Sequence, residues 1–409
     1  MTRRSAVRFL PVLLIGIAIL HAAPPAVNTS KAGMDPELLA RVPARVKAFV
    51  EKGTIPGAVT LVQRHGALAS LEAVGYQDLE SKQPMKTDTI FRIASMTKPF
   101  TAVGIMILME EGRVSLGDAV EKYLPDFKNM WVIESRDGDK NGDTKRTLRR
   151  PSRPVTLRDL LTHTSGMYGM PPETLDEAIA RKTRTLADVV TLASQKPLDF
   201  DPGTKWQYSN LGIATLGRII EVVADQPYEK FIESRIFLPL GMKDSFFFLP
   251  ADRQHRLATV YVLDKGKLKK ADWDFSGNGA KYPFPEGGMY STALDLASFY
   301  QMMLNGGSYN GKRILSRATA EMMTEVHTGE LQAGHSPGMG YGLAWAVVRT
   351  ADGTLPLTSI GAYGHGGAFG TYGWVDPKKD LVGVFLVQQP DVSTERSAFM
   401  AMAASAIVE

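Results

Sequence analysis

The sequence predicts an α+β fold: one antiparallel sheet built from both chain ends and flanked by helices, with a second, mainly helical domain. Segments that read as strands lie near both ends of the chain, and a helical pattern dominates the stretch between them. The length of 409 residues also exceeds a single ordinary domain of ~100–200 residues. The expected organisation is an export signal over 1–23, a tether over 24–33, a sheet domain from 34–115 with 281–409, and a helical domain with loops over 116–280.

Arg3, Arg4 and Arg8 form a basic head, and Phe9 to Leu20 is an apolar run broken by Pro11 and Gly16. Ala22 and Ala23 then supply the small residues of a cleavage site, so the segment reads as a signal peptide. The run falls short of the ~20 residues a spanning helix needs, and no second stretch reaches that length. The mature chain is therefore expected to be exported, periplasmic or extracellular, with no membrane span.

Pro24 to Ala32 lacks periodicity. Asp35-Pro36 provides an N-cap and a first-turn proline, and Leu38, Leu39, Val42, Val46, Phe49 and Val50 recur at helical spacing up to Gly53. Gly57–Gln63 and Ala67–Tyr76 read as a hairpin turning near His65-Gly66. A helix is expected from Ser95 to Glu111, stopped by Gly112. Met96, Phe100, Val103 and Ile105 to Leu108 leave it almost no polar face, which predicts burial. Helical segments follow at Thr156–Leu161, Leu175–Ala180, Leu186–Ser194, Leu211–Ala224 and Tyr228–Ile236. Strands return at Gly342–Val348, Gly370–Val375 and Leu381–Gln388, before a last helix from Ser393 to Val408.

Composition narrows the chemistry. The chain has no cysteine, which removes disulfides, thiolate metal sites and cysteine nucleophiles. Taking the three signal arginines from 47 basic residues leaves 44 against 43 acidic ones, a net charge of +1. That balance argues against a nucleic-acid partner. The seven histidines show no metal-ligand spacing.

Three constellations carry chemical potential. In Ser95-Met96-Thr97-Lys98, the i,i+3 spacing on a helix puts hydroxyl and amine on one face. Pro99 is tolerated only in a first turn, so Ser95 belongs at a helix N-terminus, where the dipole favours an oxyanion and disfavours a second cation. A buried lysine there can fall far below its free pKa of ~10.4 and act as a base on a serine that needs one. In Tyr208-Ser209-Asn210, a tyrosine held near a lysine can become a phenolate-like base, and an asparagine can orient an amide or carbonyl. In Gly364-His365-Gly366-Gly367-Ala368, glycines let a substrate backbone approach a strand whose N–H can face an oxyanion. Each alone has an ordinary explanation in a cap, a loop or a strand edge.

Together and in this order, they resemble the serine β-lactamase and penicillin-binding protein superfamily, in its class C-like branch with the family VIII carboxylesterases. Leu161-Thr162-His163-Thr164-Ser165-Gly166 and Gly287-Gly288-Met289-Tyr290-Ser291-Thr292 add to the likeness, which spans roughly Met34 to the C-terminus. It implies a β-lactamase/transpeptidase-like fold in which Ser95 is the acylated nucleophile, Lys98 its activator, and Tyr208 the group that completes the base and later activates the deacylating water. It further implies that Asn210 touches the substrate carbonyl or side-chain amide, and that the backbone N–H groups of Ser95 and Ala368 form the oxyanion hole. His365, Gly366 and Gly367 would bind substrate, with no cofactor or metal.

At one position this chain departs from the family. His365 and Gly366 stand where the family's Lys and Thr help bind a carboxylate, and a neutral imidazole and a bare glycine offer an anion much less. The expected function is thus an exported serine carboxylesterase acting on small neutral esters. A β-lactamase or D-amino-acid peptidase using the same residues is the alternative, and an acylated binding protein or sensor stands behind both.

Two further patterns invite a different reading. Gly334-His335-Ser336-Pro337-Gly338 fits Gly-x-Ser-x-Gly, but that elbow needs a strand before it and a helix after it, whereas Thr319 to Val326 reads as helix and a strand follows. Asp137-Gly138-Asp139-Lys140-Asn141-Gly142 imitates a calcium loop, yet the twelfth position is Leu148 where an acid is required.

Overall fold

The computed structural model describes residues 26–138, 144–169, 183–271, 280–350 and 357–408. The signal segment, the expected helix at Leu175–Ala180 and most of the calcium-like Asp137–Gly142 stretch lie outside the described residues.

Among the described residues, the main sheet has β1 (Gly57–Arg64), β2 (Ala67–Asp78), β3 (Gln83–Pro84), β4 (Met339–Tyr341), β5 (Ala346–Val348), β6 (Tyr363–Gly366), β7 (Tyr372–Asp376) and β8 (Leu381–Leu386). Their order in space is β4-β5-β6-β7-β8-β1-β2-β3, and each neighbouring pair is antiparallel. The late strand β8 pairs with the early strand β1, Val59 opposite Leu386 and Arg64 opposite Leu381, so the sheet closes only when both chain ends meet.

Every residue of β1 is buried. Successive side chains point to opposite faces, and both faces are covered. Val59 and Leu61 join the core beneath the helical region, while Ala58 and Val62 join a second core with Val46, Phe49, Trp374 and Phe399. The longer helices are α1 (Arg41–Glu51), α2 (Lys98–Glu110), α3 (Asn210–Ala224), α4 (Ala293–Leu304) and α5 (Ser393–Ser405). Helices α1 and α5 cover one face of the sheet, and α4 packs on the other against β1, β7 and β8. Helix α2 is buried from Lys98 to Leu108, as its missing polar face predicts. Phe100 stacks on Phe299 of α4 with ring centroids 3.7 Å apart.

The middle of the chain is less helical than its pattern suggests. Besides Leu157–Thr162, Leu186–Ser194, α3 and Tyr228–Ile232, it holds two hairpins, Val132–Gly138 with Thr144–Arg149 and Tyr261–Asp264 with Lys267–Lys270. The second turns through Lys265 and Gly266, both at positive φ (50° and 77°), the geometry of a tight hairpin turn. Of the strand expected over Gly342–Val348, only Ala346–Val348 forms. β4 ends at Tyr341, Ala344 takes a left-handed φ of 62°, and β5 begins at Ala346. No helix of the described residues is long and apolar enough to cross a membrane.

Candidate active site

The turn that carries Ser95 is a 3-10 turn over Ala94–Thr97, continued directly by α2 from Lys98. Ala94 sits at φ 46°, a strained conformation for a residue with a Cβ, worth roughly 1–2 kcal/mol. Tertiary contacts hold it there. Thr97 Oγ1 donates to Ala94 O (2.7 Å), Met289 N donates to Thr97 Oγ1 (3.2 Å), and Phe91–Arg92 pairs with Tyr290–Ser291. The stretch around Gly287–Thr292 thus braces the serine turn from below. Strain concentrated beside a half-buried serine is typical of a functional site.

Lys98 is wholly buried, and its Nζ lies 3.0 Å from Ser95 Oγ and 2.6 Å from Glu286 O. Burial lowers its pKa to about 7, against a weaker upward pull from Glu286. Tyr208 reaches the same point from the residue pair that opens α3. Its hydroxyl shares a hydrogen bond with Ser95, and Lys98 Nζ lies 4.7 Å from its ring centroid. Burial pushes the Tyr208 phenol well above its ordinary pKa, outweighing the hydrogen bond. The resting tyrosine is therefore a protonated phenol, placed to donate its proton before it can accept one.

The opposite wall is the β6 strand and the turn after it. Gly367 N donates to Thr371 O (2.7 Å), and Thr371 Oγ1 donates to Ile93 O (3.1 Å). A Cβ on Gly367 would meet Thr371 Oγ1 at 2.2 Å and Ile93 O at 2.3 Å. Only glycine lets this turn close onto the segment that leads into Ser95, and the closure sets Ala368 beside the serine. Ser95, Tyr208, His365, Gly366, Gly367 and Ala368 all line one pocket of about 340 Å³. Lys98 lies behind it. Asn210, two residues beyond Tyr208, turns its amide away to donate to Gly169 O at 3.3 Å.

His365 is buried with both ring nitrogens engaged, Nδ1 by Gly366 O (2.7 Å) and Nε2 by Tyr341 Oη (3.2 Å). Burial and the neighbouring Lys98 lower its pKa to about 3. It is more firmly neutral than its residue type alone implies.

Other parts of the pocket have no counterpart among the candidate catalytic and binding residues. Tyr341 comes from β4 and His335 from the loop before it, and Arg396 comes from α5 with its guanidinium 4.8 Å from the Tyr372 ring centroid. The Arg396 Nε is buried without a hydrogen-bond partner. The Gly-x-Ser-x-Gly stretch also reaches the pocket, through Gly334, His335 and Ser336. It lacks the elbow geometry, because helix Arg317–Thr324 precedes it at a distance and β4 follows it. Ser336→Ala is expected to leave ester turnover within a few-fold of the parent, measured as kcat on a short ester. Complete loss with a normal melting profile would move the nucleophile to Ser336.

A hydroxyl set on a strained turn, beside an amine near neutrality at pH 7, suits attack on an acyl carbonyl. The fold and this site define a serine hydrolase of the β-lactamase and transpeptidase type. The chain belongs to the family described as Beta-lactamase, whose profile matches residues 42–406. An uncharacterized protein of Mycobacterium tuberculosis is 33% identical over 378 residues, covering 88% of this chain and 92% of its own. The lovastatin esterase of Penicillium rubens is 30% identical over 387 residues (84% and 91%), and esterase EstB of Burkholderia gladioli 27% over 373 (83% and 87%). Among solved structures, EstCE1, described as a hydrolase with promiscuous acyltransferase activity, superposes with a TM-score of 0.75 at 25% identity, covering 93% of this chain and all of its own.

Proposed function

We propose that the protein is an exported carboxylesterase that hydrolyses small neutral esters through an acyl-enzyme on Ser95. The observation that carries the reading is the buried Lys98 amine 3.0 Å from Ser95 Oγ, with a pKa of about 7. A neutral amine keeps one N–H for Glu286 O and turns its lone pair to the serine O–H. As Oγ attacks the ester carbonyl, Lys98 takes the serine proton. The carbonyl oxygen becomes an oxyanion received by the N–H groups of Ser95 and Ala368. Tyr208, hydrogen-bonded to Ser95, gives its proton to the departing alkoxide and is reprotonated from Lys98. Water then attacks the acyl carbon and loses a proton to the Tyr208–Lys98 pair. That proton returns to Ser95 Oγ as the acid leaves.

The pocket volume of about 340 Å³ is at the small end for ligand sites, which supports a small substrate. The esterase relatives support ester chemistry, and the neutral His365 supports an uncharged substrate. One observation favours the alternative of a β-lactamase or D-amino-acid peptidase: Arg396 places a guanidinium on the pocket wall, a group suited to a substrate carboxylate. The deciding experiment is a burst-phase assay with a short ester, a cephalosporin and a D-alanyl peptide. Sustained turnover confined to the cephalosporin or the peptide sinks the esterase reading, and one equivalent of product followed by arrest marks an acylated sensor. Export is tested by the N-terminal sequence of protein recovered from outside the cytoplasm, expected to begin near residue 24.

The ratio of cephalosporin to ester hydrolysis is expected to stay constant from pH 8 to pH 5. His365 has a pKa of about 3, so it gains no charge over that range. A ratio that climbs below about pH 6 would mean that His365 protonates and serves as the anion-binding group, since free imidazole titrates at ~6.5.

A further inference from the structure

From the pocket wall into the core behind it runs a line of side chains that these steps do not use. His163 lies at the left-handed end of helix Leu157–Thr162, Tyr341 at the end of β4 and His365 within β6. All are buried, and they are joined by hydrogen bonds. Ser209 N to His163 Nδ1 is 3.2 Å, His163 Nε2 to Tyr341 Oη 3.1 Å, Tyr341 Oη to His365 Nε2 3.2 Å, and His365 Nδ1 to Gly366 O 2.7 Å.

The backbone at each end fixes every proton between. Ser209 N–H donates, so His163 Nδ1 is bare and its proton sits on Nε2, donated to Tyr341 Oη. Gly366 O accepts, so His365 carries its proton on Nδ1 and its bare Nε2 accepts from the Tyr341 O–H. With both rings neutral, all four bonds are satisfied in a single direction. A proton added to either ring would point a second donor at a donor already in place, and in a buried site that is costly.

We propose that Tyr341 is a positioning residue, the centre of a neutral one-directional strut that fixes Tyr208 against the strand leading to Ala368. One end holds the backbone directly after Tyr208, whose ring packs on His163 with centroids 4.5 Å apart. The other end holds Gly366, two residues before Ala368. The strut thus joins residue 209, which opens α3, to the sheet, and it sets the distance between the proton-relaying phenol and the oxyanion donor. The charged and titratable groups facing it are Lys98, Tyr208 and His335, and Lys98 and His335 disfavour a further positive charge on His163. Burial and these neighbours hold both strut histidines below their ordinary range. The role rests on Tyr208 and Ala368 acting as assigned above.

The test has two arms. Ring-nitrogen NMR of the full-length parent, from pH 8 to pH 5, reads the tautomers without any turnover, so it stands even if the Ser95 assignment fails. It is expected to show His163 protonated on Nε2 and His365 on Nδ1, unchanged across the range. The opposite tautomer on either ring, or titration of either within that range, overturns the strut. In Tyr341→Phe both central bonds are lost while the ring remains. At least one of the two histidines should then titrate between pH 8 and 5, and kcat on a short ester should fall roughly tenfold or more at similar KM, as for a slightly displaced reacting group. Parent kcat with unchanged ring-nitrogen titration in that variant overturns the positioning role. Should the variant not fold, the parent spectrum alone decides on the strut.

Discussion

Ser95→Ala is expected to abolish turnover of a short ester, by roughly 10⁴-fold or more, because nucleophile and base act as one unit. Labelling by a serine-directed phosphonate should vanish with it. The fold should survive. The side chain is half-buried, and the turn is held by Thr97, Met289 and the Phe91–Arg92 pairing rather than by the Ser95 hydroxyl. A melting temperature within about 3 °C of the parent is the expected control for a substitution of this size. Substantial residual activity, still inhibited by the phosphonate, would transfer the nucleophile to another serine and undo the mechanism.

Lys98→Met should cost kcat ~10²–10⁴-fold, the range for a lost general base, and should also change two pH profiles. In the parent, the active form has a neutral Lys98, so kcat/KM rises as pH increases through about 7. The variant has no such limb. Stability changes with pH in the same direction. The lysine's folded pKa of about 7 lies below its ordinary value of 10.5, so between those values the unfolded chain binds more protons. Parent stability should therefore gain about 1.4 kcal/mol per pH unit from this group as pH rises above 7. Chemical unfolding of both proteins at pH 7 and pH 9 measures the difference, in which the contributions of the other groups cancel. A parent and variant that differ equally at both pH values would mean that Lys98 stays charged at neutral pH. It would then be an electrostatic stabiliser, not a base.

The Ser-x-x-Lys pair was legible because helical spacing is a local property and Pro99 marks where a helix can begin. The β1–β2 hairpin was legible for the same kind of reason: two β-prone runs on either side of His65-Gly66, two residues that both take positive φ. The order of the three motifs carried the family likeness without any contact being known. The hairpin at Tyr261–Lys270 was missed within a segment read as mostly helical, although Lys265-Gly266 is the same kind of turn signal as His65-Gly66. The late start of the strand expected over Gly342–Val348 was hidden because the apolar run continues through a turn imposed by packing. Gly342 has no room for a Cβ, which would meet Met323 O at 2.4 Å.

By itself, then, the sequence determined the α+β class, the serine–lysine turn, the tyrosine and the glycine-rich strand, all features written in spacings of a few residues. Tertiary structure alone decided what those groups are chemically. Lys98 is a base candidate because a closed core surrounds its amine, and Tyr208 is a phenol because the same burial opposes its anion. His365 is neutral because burial and the nearby Lys98 oppose its protonation, with Tyr341 and Gly366 O engaging its ring nitrogens. Arg396 and the Gly334–Ser336 wall reach the pocket from segments that are distant along the chain. The physical reason is that periodicity and capping act between near neighbours, whereas desolvation and hydrogen-bond direction depend on every group that packs around a site, wherever it lies in the chain.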